Sequence, residues 1–206
     1  QRSNGGFGLW DSDSDEEHWL TAYVSDFLLD AQQQGFNVPE QLLTTAFKRL
    51  LYYVNYEGQM YSESYSPFPK HSNFAYKAYA AYVLARVNRA PLGSLRTLYD
   101  HHKKDTQSGL PLVHLGLALI KQGDTKRGKL AIEQALKVKR NARLYLADYG
   151  SPLRDFSLMT YLLNKNNHGG AEQLIFQLAD LMSNRQYLST QERNALFLVA
   201  VELAAD

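Results

Sequence analysis

The sequence predicts an all-α fold of about nine helices that pair into hairpins. Apolar residues recur at helical spacing along almost the whole chain, and no segment shows a convincing alternation of the kind found in half-buried strands. The predicted helices also alternate between two kinds of composition. At 206 residues the chain can bury one sizeable core, so we expect a single domain over residues 1–206.

The predicted helices follow one another with mostly short connections. The first carries apolar residues from 20 to 31 and ends at Gly35, and the second starts at Pro39 and runs to 54. Residues 56–70 have no period and are predicted to form a loop. Further helices are expected over 74–87, 91–103, 111–121, 126–138, 152–164, 171–182 and 190–204, with an irregular connection over 141–150.

The two kinds of helix predict two layers. Segments that begin near Glu16, Ser72, Gly109, Ser151 and Thr190 carry small residues among their apolar ones and can pack on both sides. The segments between them show one apolar stripe and a charged opposite face, which is typical of an outer layer. Five inner and four outer helices form an array of hairpins, and a closed ring of six hairpins needs about three more helices.

A helical solenoid is the competing all-α architecture, suggested by the tetratricopeptide-like segment 115–135. Repeats of that kind keep a period near 34 residues. Here the inner helices start about 56, 37, 42 and 39 positions apart. Hairpins with loops of variable length explain this spacing better than a fixed repeat does.

Composition excludes several kinds of site and partner. The net charge is +1, from 22 basic and 21 acidic interspersed residues, so we expect no cationic field for nucleic acid or anionic lipid. Cys is absent, which excludes disulfides, thiolate nucleophiles and Cys-based metal sites. No run of eighteen apolar residues or secretory leader occurs, and we expect an excised piece whose signal or lipid anchor lies upstream.

The first ten residues, QRSNGGFGLW, have the composition of a packed loop. Gly5 and Gly6 allow positive φ and close approach to a neighbouring helix, and we expect Phe7 and Trp10 to be buried anchors. The acidic run Asp11, Asp13, Asp15, Glu16 and Glu17 is expected at a helix N-terminus, where negative charge is favourable. Asp11, Asp13 and Asp15 are expected to be solvated.

This loop resembles the one that recurs between helix hairpins in α/α-toroid proteins such as terpenoid cyclases and protein prenyltransferases. Together with DEEHWLTAYV at 15–24 it resembles the thioester domain of bacterial alpha-2-macroglobulins. The similarity continues through five further segments in order along the chain: AYVLAR at 81–86, APLGSLR at 90–96, SGLPL at 108–112, DYGSPLRD at 148–155 and LSTQERNALFL at 188–198.

The resemblance implies that the chain is the larger, C-terminal part of an incomplete α/α toroid. The Cys-x-Glu-Gln thioester sequence of the family would lie upstream. The parent would be a periplasmic, non-enzymatic protein that entraps proteases, anchored if at all through its N-terminus to the inner membrane. Its partners would be target proteases and other macroglobulin domains of the same chain, with no nucleic acid and no cofactor.

Complement-type relatives carry a catalytic His and Glu before the helix that starts at 19. The matching region here, Trp10 to Trp19, has His18 as its one histidine, directly beside that helix. The resemblance therefore assigns no catalytic residue here.

Metal sites are not indicated by the sequence. Asp11, Asp13 and Asp15 imitate the first ligands of a calcium loop, but Glu16 and Ala22 stand where that loop needs a Gly and a bidentate Glu. His101 and His102 diverge by about 100° on a helix and cannot bind one metal together. The other histidines, His18, His71, His114 and His168, are expected to be surface or core residues.

An α/α-toroid hydrolase or lyase is the alternative function, because such enzymes often use paired carboxylates. The candidates are Asp26, Asp148 and Asp155. Asp26 lies on a predicted helix and Asp155 at the start of another, where a capping or helix-dipole role is the simpler explanation. Aromatic residues offer a second surface, since Tyr contributes contact area with little loss of side-chain entropy. Of these, Tyr61, Tyr65 and Phe68 are expected to be exposed contacts.

Overall fold

In the computed structural model, nine α-helices and no β-strand occur in the residues that the structure describes, 1–61, 64–169, 171–183 and 185–205. The helices are α1 (His18–Gln33), α2 (Glu40–Asn55), α3 (Pro69–Arg86), α4 (Leu92–His102), α5 (Leu110–Lys121), α6 (Thr125–Ala135), α7 (Pro152–Lys165), α8 (Ala171–Ser183) and α9 (Thr190–Ala205). The predicted helices are confirmed. α3 begins inside the expected loop, of which Ser62 and Glu63 lie outside the described residues.

Local sequence explains where several helices begin. Proline occupies the first turn of α3, α5 and α7, where no intrahelical partner for its nitrogen is needed. Asp124 caps α6 by accepting a hydrogen bond of 3.2 Å from the backbone N–H of Arg127. Ser151 caps α7 in the same way from Arg154, at 3.1 Å.

The helices form two layers, as the alternation of helix types predicts. α1, α3, α5, α7 and α9 pack against one another in this order and make the inner layer. In the outer layer, α2 contacts α4 and α4 contacts α6. α3 and α5 are buried on nearly all sides, since each has neighbours in both layers.

Two glycines bring α5 and α6 close together. A Cβ atom on Gly116 would lie 2.8 Å from the carbonyl oxygen of Gly128, and one on Gly128 would lie 2.6 Å from that of Gly116. These distances are too short for any other residue. The small residues of the tetratricopeptide-like segment therefore serve the packing of one hairpin.

The array curves around a common axis. A small cavity of about 90 Å³ is lined by residues from all five inner helices, among them Tyr23, Tyr79, His114, Tyr161 and Asn194. The side-chain amide of Asn194 on α9 donates a hydrogen bond of 3.2 Å to the hydroxyl of Tyr23 on α1. A regular solenoid keeps its first and last helices apart, whereas here side chains of the first and last helices meet across the axis. The incomplete toroid is thus confirmed.

Candidate functional site

The loop before α1 is held mainly by its backbone. Gly5 has a φ of +92°, and a Cβ atom there would lie 2.2 Å from the carbonyl oxygen of Thr45 on α2. The amide of Gln1 donates to the carbonyl of Leu42 at 3.0 Å. The backbone N–H of Phe7 donates to the Thr21 hydroxyl at 2.9 Å. These contacts fix the loop against both α1 and α2.

The prediction that Trp10 anchors this loop is wrong. Its side chain is 89% exposed, and Phe7 is half-buried. The glycine contact and the hydrogen bonds around it do the anchoring, and they leave the tip of the loop free to project into solvent. Burial of Trp10 was predicted from its residue type, and residue type does not determine whether a side chain points into the fold or into solvent.

The acidic run divides into two parts. Asp11, Asp13 and Asp15 are exposed, which confirms that they are solvated. Glu16, which lies at the N-terminus of α1 as expected, is bound within the fold. It receives two hydrogen bonds from Arg49, at 2.7 and 2.6 Å, and one from the hydroxyl of Tyr53. Burial alone would raise the pKa of Glu16, but these donors outweigh it and lower the pKa below its ordinary value.

Glu17, the residue directly before α1, also lies at the expected helix N-terminus and is buried, at 6% exposure. Its carboxylate accepts hydrogen bonds from the hydroxyls of Tyr61, Tyr65 and Tyr149. These tyrosines precede α3 and α7, so one carboxylate at the start of α1 joins the starts of three inner helices. Burial and the nearby negative charge raise the pKa of Tyr149 to about 12 and those of Tyr61 and Tyr65 further.

The predicted exposed contacts in the loop before α3 are only partly correct. Tyr65 is 48% exposed, Phe68 is half-buried, and Tyr61 is 3% exposed. Tyr61 is buried because its hydroxyl binds Glu17 and also accepts a hydrogen bond from the backbone N–H of Trp19 at 3.2 Å. A loop position without helical period gave no sign of this buried partner.

His18 lies in an aromatic enclosure. Its ring centroid is 5.2 to 5.3 Å from those of Tyr53, Tyr61 and Tyr76, and its Nδ1 atom is buried without a hydrogen-bond partner. Burial lowers the pKa of His18, so its neutral form is favoured. A side chain enclosed in this way is a packing residue.

A buried group of four charged residues lies beside Glu17, between the end of α6 and the start of α7. We call Arg140, Asp148, Arg154 and Asp155 the ion quartet. Arg140 donates twice to Asp148, both at 2.7 Å, and once to Asp155 at 3.0 Å. Arg154 pairs with Asp155 at 2.8 Å. Asp155 lies in the first turn of α7, where a capping or helix-dipole role was expected, and both carboxylates also bind guanidinium groups within the fold.

His71, at the start of α3, extends the ion quartet. The backbone N–H of Gln107 donates to its Nδ1 atom at 2.9 Å, so the network assigns the proton to Nε2. Nε2 in turn faces a carboxylate oxygen of Asp148 at 3.4 Å. Burial alone would raise the pKa of Asp148, but the donors His71 and Arg140 and the charge of Arg154 hold it well below its ordinary value.

Asp26 belongs to a separate pair on the axis. It binds the guanidinium of Arg86 and accepts a hydrogen bond of 2.9 Å from the hydroxyl of Tyr79. Asp26 thus stands apart from Asp148 and Asp155, which share Arg140. The three candidate carboxylates do not form a pair that could face one sugar with a water between them, as glycoside hydrolysis requires.

Within the described residues, no group of three His, Asp or Glu side chains is arranged to hold a metal ion. In the acidic loop, Asp11 accepts hydrogen bonds from the backbone N–H groups of Asp13 and Ser14, at 3.0 and 2.7 Å. These bonds close a local turn. The absence of tight calcium binding there stays a prediction.

Sequence reasoning missed the partners that complete these clusters. Arg49 and Arg140 had no distinguishing signal, because each lies in an ordinary charged stretch. Tyr149 could have been found, since it lies within the DYGSPLRD segment that carries the resemblance. In these clusters the carboxylates are bound to guanidinium and hydroxyl groups of the same fold.

Comparison with known proteins places this arrangement in a family. No protein-family model matches the chain. An alpha-2-macroglobulin of Escherichia coli K12 is 50% identical over 204 residues, which cover 97% of this chain and 12% of that protein. The chain therefore spans about an eighth of the length of this relative.

Two solved structures of the Escherichia coli protein share the fold. The cryo-EM reconstruction of its native conformation matches with a TM-score of 0.92 at 49% identity, over 98% of this chain and 13% of that one. The crystal structure of its trypsin-activated form matches with a TM-score of 0.90 at 50% identity, over 97% of this chain and 14% of that one. In sequence and in fold, the chain belongs to the bacterial alpha-2-macroglobulin family, as one helical segment of it.

Proposed function

We propose that this chain is the larger, C-terminal part of a thioester-type helical domain in a periplasmic protein that entraps proteases. The observation that carries the proposal is its likeness to one relative both in the native conformation and after activation by trypsin. Because its fold resembles both the native and the activated form of the relative, the segment is suited to move as one rigid body within such a protein.

We further propose that the chain acts as a scaffold and catalyses no reaction itself. The ion quartet supports this role, since a general acid or base must be able to reach a substrate proton. Asp148 and Asp155 instead bind Arg140 and Arg154 inside the fold. Glu17 is bound in the same way by three tyrosine hydroxyls.

The exposed apolar faces at the two ends of the array support the proposed domain. Phe197 and Val201 of α9 and Phe27 of α1 are at least half exposed. α9 is apolar on the side facing α7 and on the opposite side, a pattern expected of a helix buried on both sides. We propose that the remaining helices of the toroid cover these faces.

Trapping can be tested on the full-length protein that contains this sequence. After incubation with trypsin, we expect trypsin to remain bound through denaturing electrophoresis and to have lost activity on a large protein substrate, while a small chromogenic substrate is still cleaved. Free trypsin activity on both substrates would contradict the proposal.

The isolated chain is the matched control. It has no Cys, so it cannot form a thioester, and its mass should be unchanged after exposure to methylamine and trypsin, apart from proteolytic cleavage. A stoichiometric covalent adduct on the isolated chain would contradict the scaffold role.

A further inference from the structure

Basic and acidic residues balance over the whole chain but are separated in space. Residues 125–143, which include α6, contain seven basic residues and one acidic residue, Glu133. Two of the basic residues are bound: Arg127 pairs with Asp100 and Asp124, and Arg140 belongs to the ion quartet. The other five form no ion pair with any described residue, and all are exposed: Lys126, Lys129, Lys137, Lys139 and Arg143.

Two of these lysines, Lys126 and Lys129, lie on the solvent side of α6 about 60° apart, and the exposed carboxylate of Glu133 falls between them. Lys137 and Leu136 follow directly after Ala135, the last residue of α6. Leu130 on α6 and Leu136 are 45% and 47% exposed. We call Lys126, Lys129, Leu130, Leu136 and Lys137 the α6 basic face.

A depression of about 570 Å³ adjoins the α6 basic face. It is lined by Lys121 of α5, by Lys129 and Glu133 of α6, and by His168 with its neighbours after α7. Burial lowers the pKa of Lys121, and the positive charges of Arg86 and Lys165 lower it further. Two cations, Lys121 and Lys129, and one carboxylate, Glu133, thus line the depression, and the two cations suit a phosphate group.

We propose that the α6 basic face binds the surface of membranes that contain anionic phospholipids. Its lysines would contact lipid phosphates, one of which fits the depression beside Lys121 and Lys129, and its leucines would enter the interface. Cations that flank exposed aliphatic side chains are typical of binding to a membrane surface. An acidic protein as the partner would account for the cations but not for the exposed leucines.

Such binding is peripheral and strengthens with each cation that approaches the anionic surface. No helix in the described part of the chain is both long and apolar enough to cross a bilayer. The inference is independent of protease trapping, since it rests on the outer surface of α6 and involves neither Glu17 nor the ion quartet.

The test is co-sedimentation of the chain with phosphatidylcholine vesicles, with and without phosphatidylglycerol, at low and at physiological salt. We expect binding that requires phosphatidylglycerol and weakens with salt. The test variant carries Lys126→Glu, Lys129→Glu and Lys137→Glu, and its vesicle affinity should fall roughly tenfold or more. The matched control carries Lys48→Glu, Lys70→Glu and Lys104→Glu, three exposed lysines elsewhere with the same total charge change, and it should bind nearly as the wild type does.

Three results would overturn the proposal: no phosphatidylglycerol-dependent binding at low salt, equal loss in both triple variants, or full binding by the test variant. Binding of soluble polyglutamate without binding to vesicles would assign the face to an acidic protein and would also overturn it. If charge reversal alters the helical circular dichroism, replacement of the same three lysines by Gln provides the measurement, with the same expected direction.

Discussion

The hydroxyl of Tyr149 donates a hydrogen bond of 3.3 Å to the carboxylate of Glu17, although the two residues lie 132 positions apart. Tyr149 has a φ of +56°, a conformation that few residues other than glycine adopt. The connection between α6 and α7 therefore has an uncommon backbone conformation where it contacts the start of α1. With Tyr61 and Tyr65 on the same carboxylate, Glu17 links segments that are distant in sequence.

Replacement of Glu17 by Ala should therefore destabilise the chain. It leaves the buried hydroxyl of Tyr61 without its acceptor, and we expect the free energy of unfolding to fall by about 1–3 kcal/mol. Urea denaturation followed by circular dichroism measures this. Glu57→Ala, at an exposed position, is the control and should change stability by less than about 0.5 kcal/mol. Equal stability of the two variants would show that the tyrosine contacts contribute little.

The ion quartet makes a second prediction. Asp148→Asn removes one of two negative charges and leaves Arg140 and Arg154 buried with Asp155 alone, so unfolding should become easier by about 3–5 kcal/mol. Asp13→Asn, an exposed position, is the matched control. Because the pKa of Asp148 is held below its ordinary value, its contribution is present above about pH 4 and is lost as the pH falls further. An Asp148→Asn variant as stable as wild type would refute the role of the quartet.

The fold could be predicted because apolar residues at helical spacing recur many times along the chain. In α3, small residues such as Ala78 and Ala81 recur among aromatic ones such as Tyr79 and Tyr82, and this composition marks a helix buried on several sides. Proline in the first turn coincides with the start of α7, and the Asp124 cap with the start of α6. Each of these signals is local.

The site could not be predicted to the same degree because its contacts are not local. Arg49 binds a carboxylate 33 positions away, and Tyr149 binds one 132 positions away. An isolated Tyr or Arg in a loop looks the same in sequence whether its partner is water or a buried carboxylate. That is why Tyr61 was expected at the surface and the tyrosine partners of Glu17 were not predicted.

The loop before α1 gives a third prediction, because it is anchored by the tightly packed Gly5 and not by the aromatic side chain of Trp10. Gly5→Ala forces a side chain into positive φ and against the carbonyl of Thr45, and we expect a loss of more than about 2 kcal/mol. Trp10→Ala should change stability by less than about 0.5 kcal/mol, since the side chain is in solvent. Thermal and urea unfolding of both variants provide the measurement. A larger loss for Trp10→Ala than for Gly5→Ala would restore the aromatic side chain as the anchor.

His114 makes stability depend on pH. On α5 its ring stacks on Tyr79, with centroids 4.2 Å apart, and it is buried at the centre of the inner layer. Burial, reinforced by the charge of Arg154, lowers the pKa of His114 to about 3. The unfolded chain exposes this histidine with a pKa near 6.5, so between these two values the unfolded state binds more protons than the folded state does.

Stability should therefore fall on acidification, and His114 should account for a defined part of the loss. Between pH 7 and pH 5, protonation of this one residue in the unfolded chain costs about 2 kcal/mol. His114→Gln cannot take up that proton, so its loss between the two pH values should be smaller than that of wild type by about this amount. His101→Gln, at an exposed position of α4, should keep the wild-type loss. The measurement is urea unfolding of the three proteins at both pH values. If His114→Gln loses as much stability as wild type, His114 is not the buried neutral residue that its surroundings indicate.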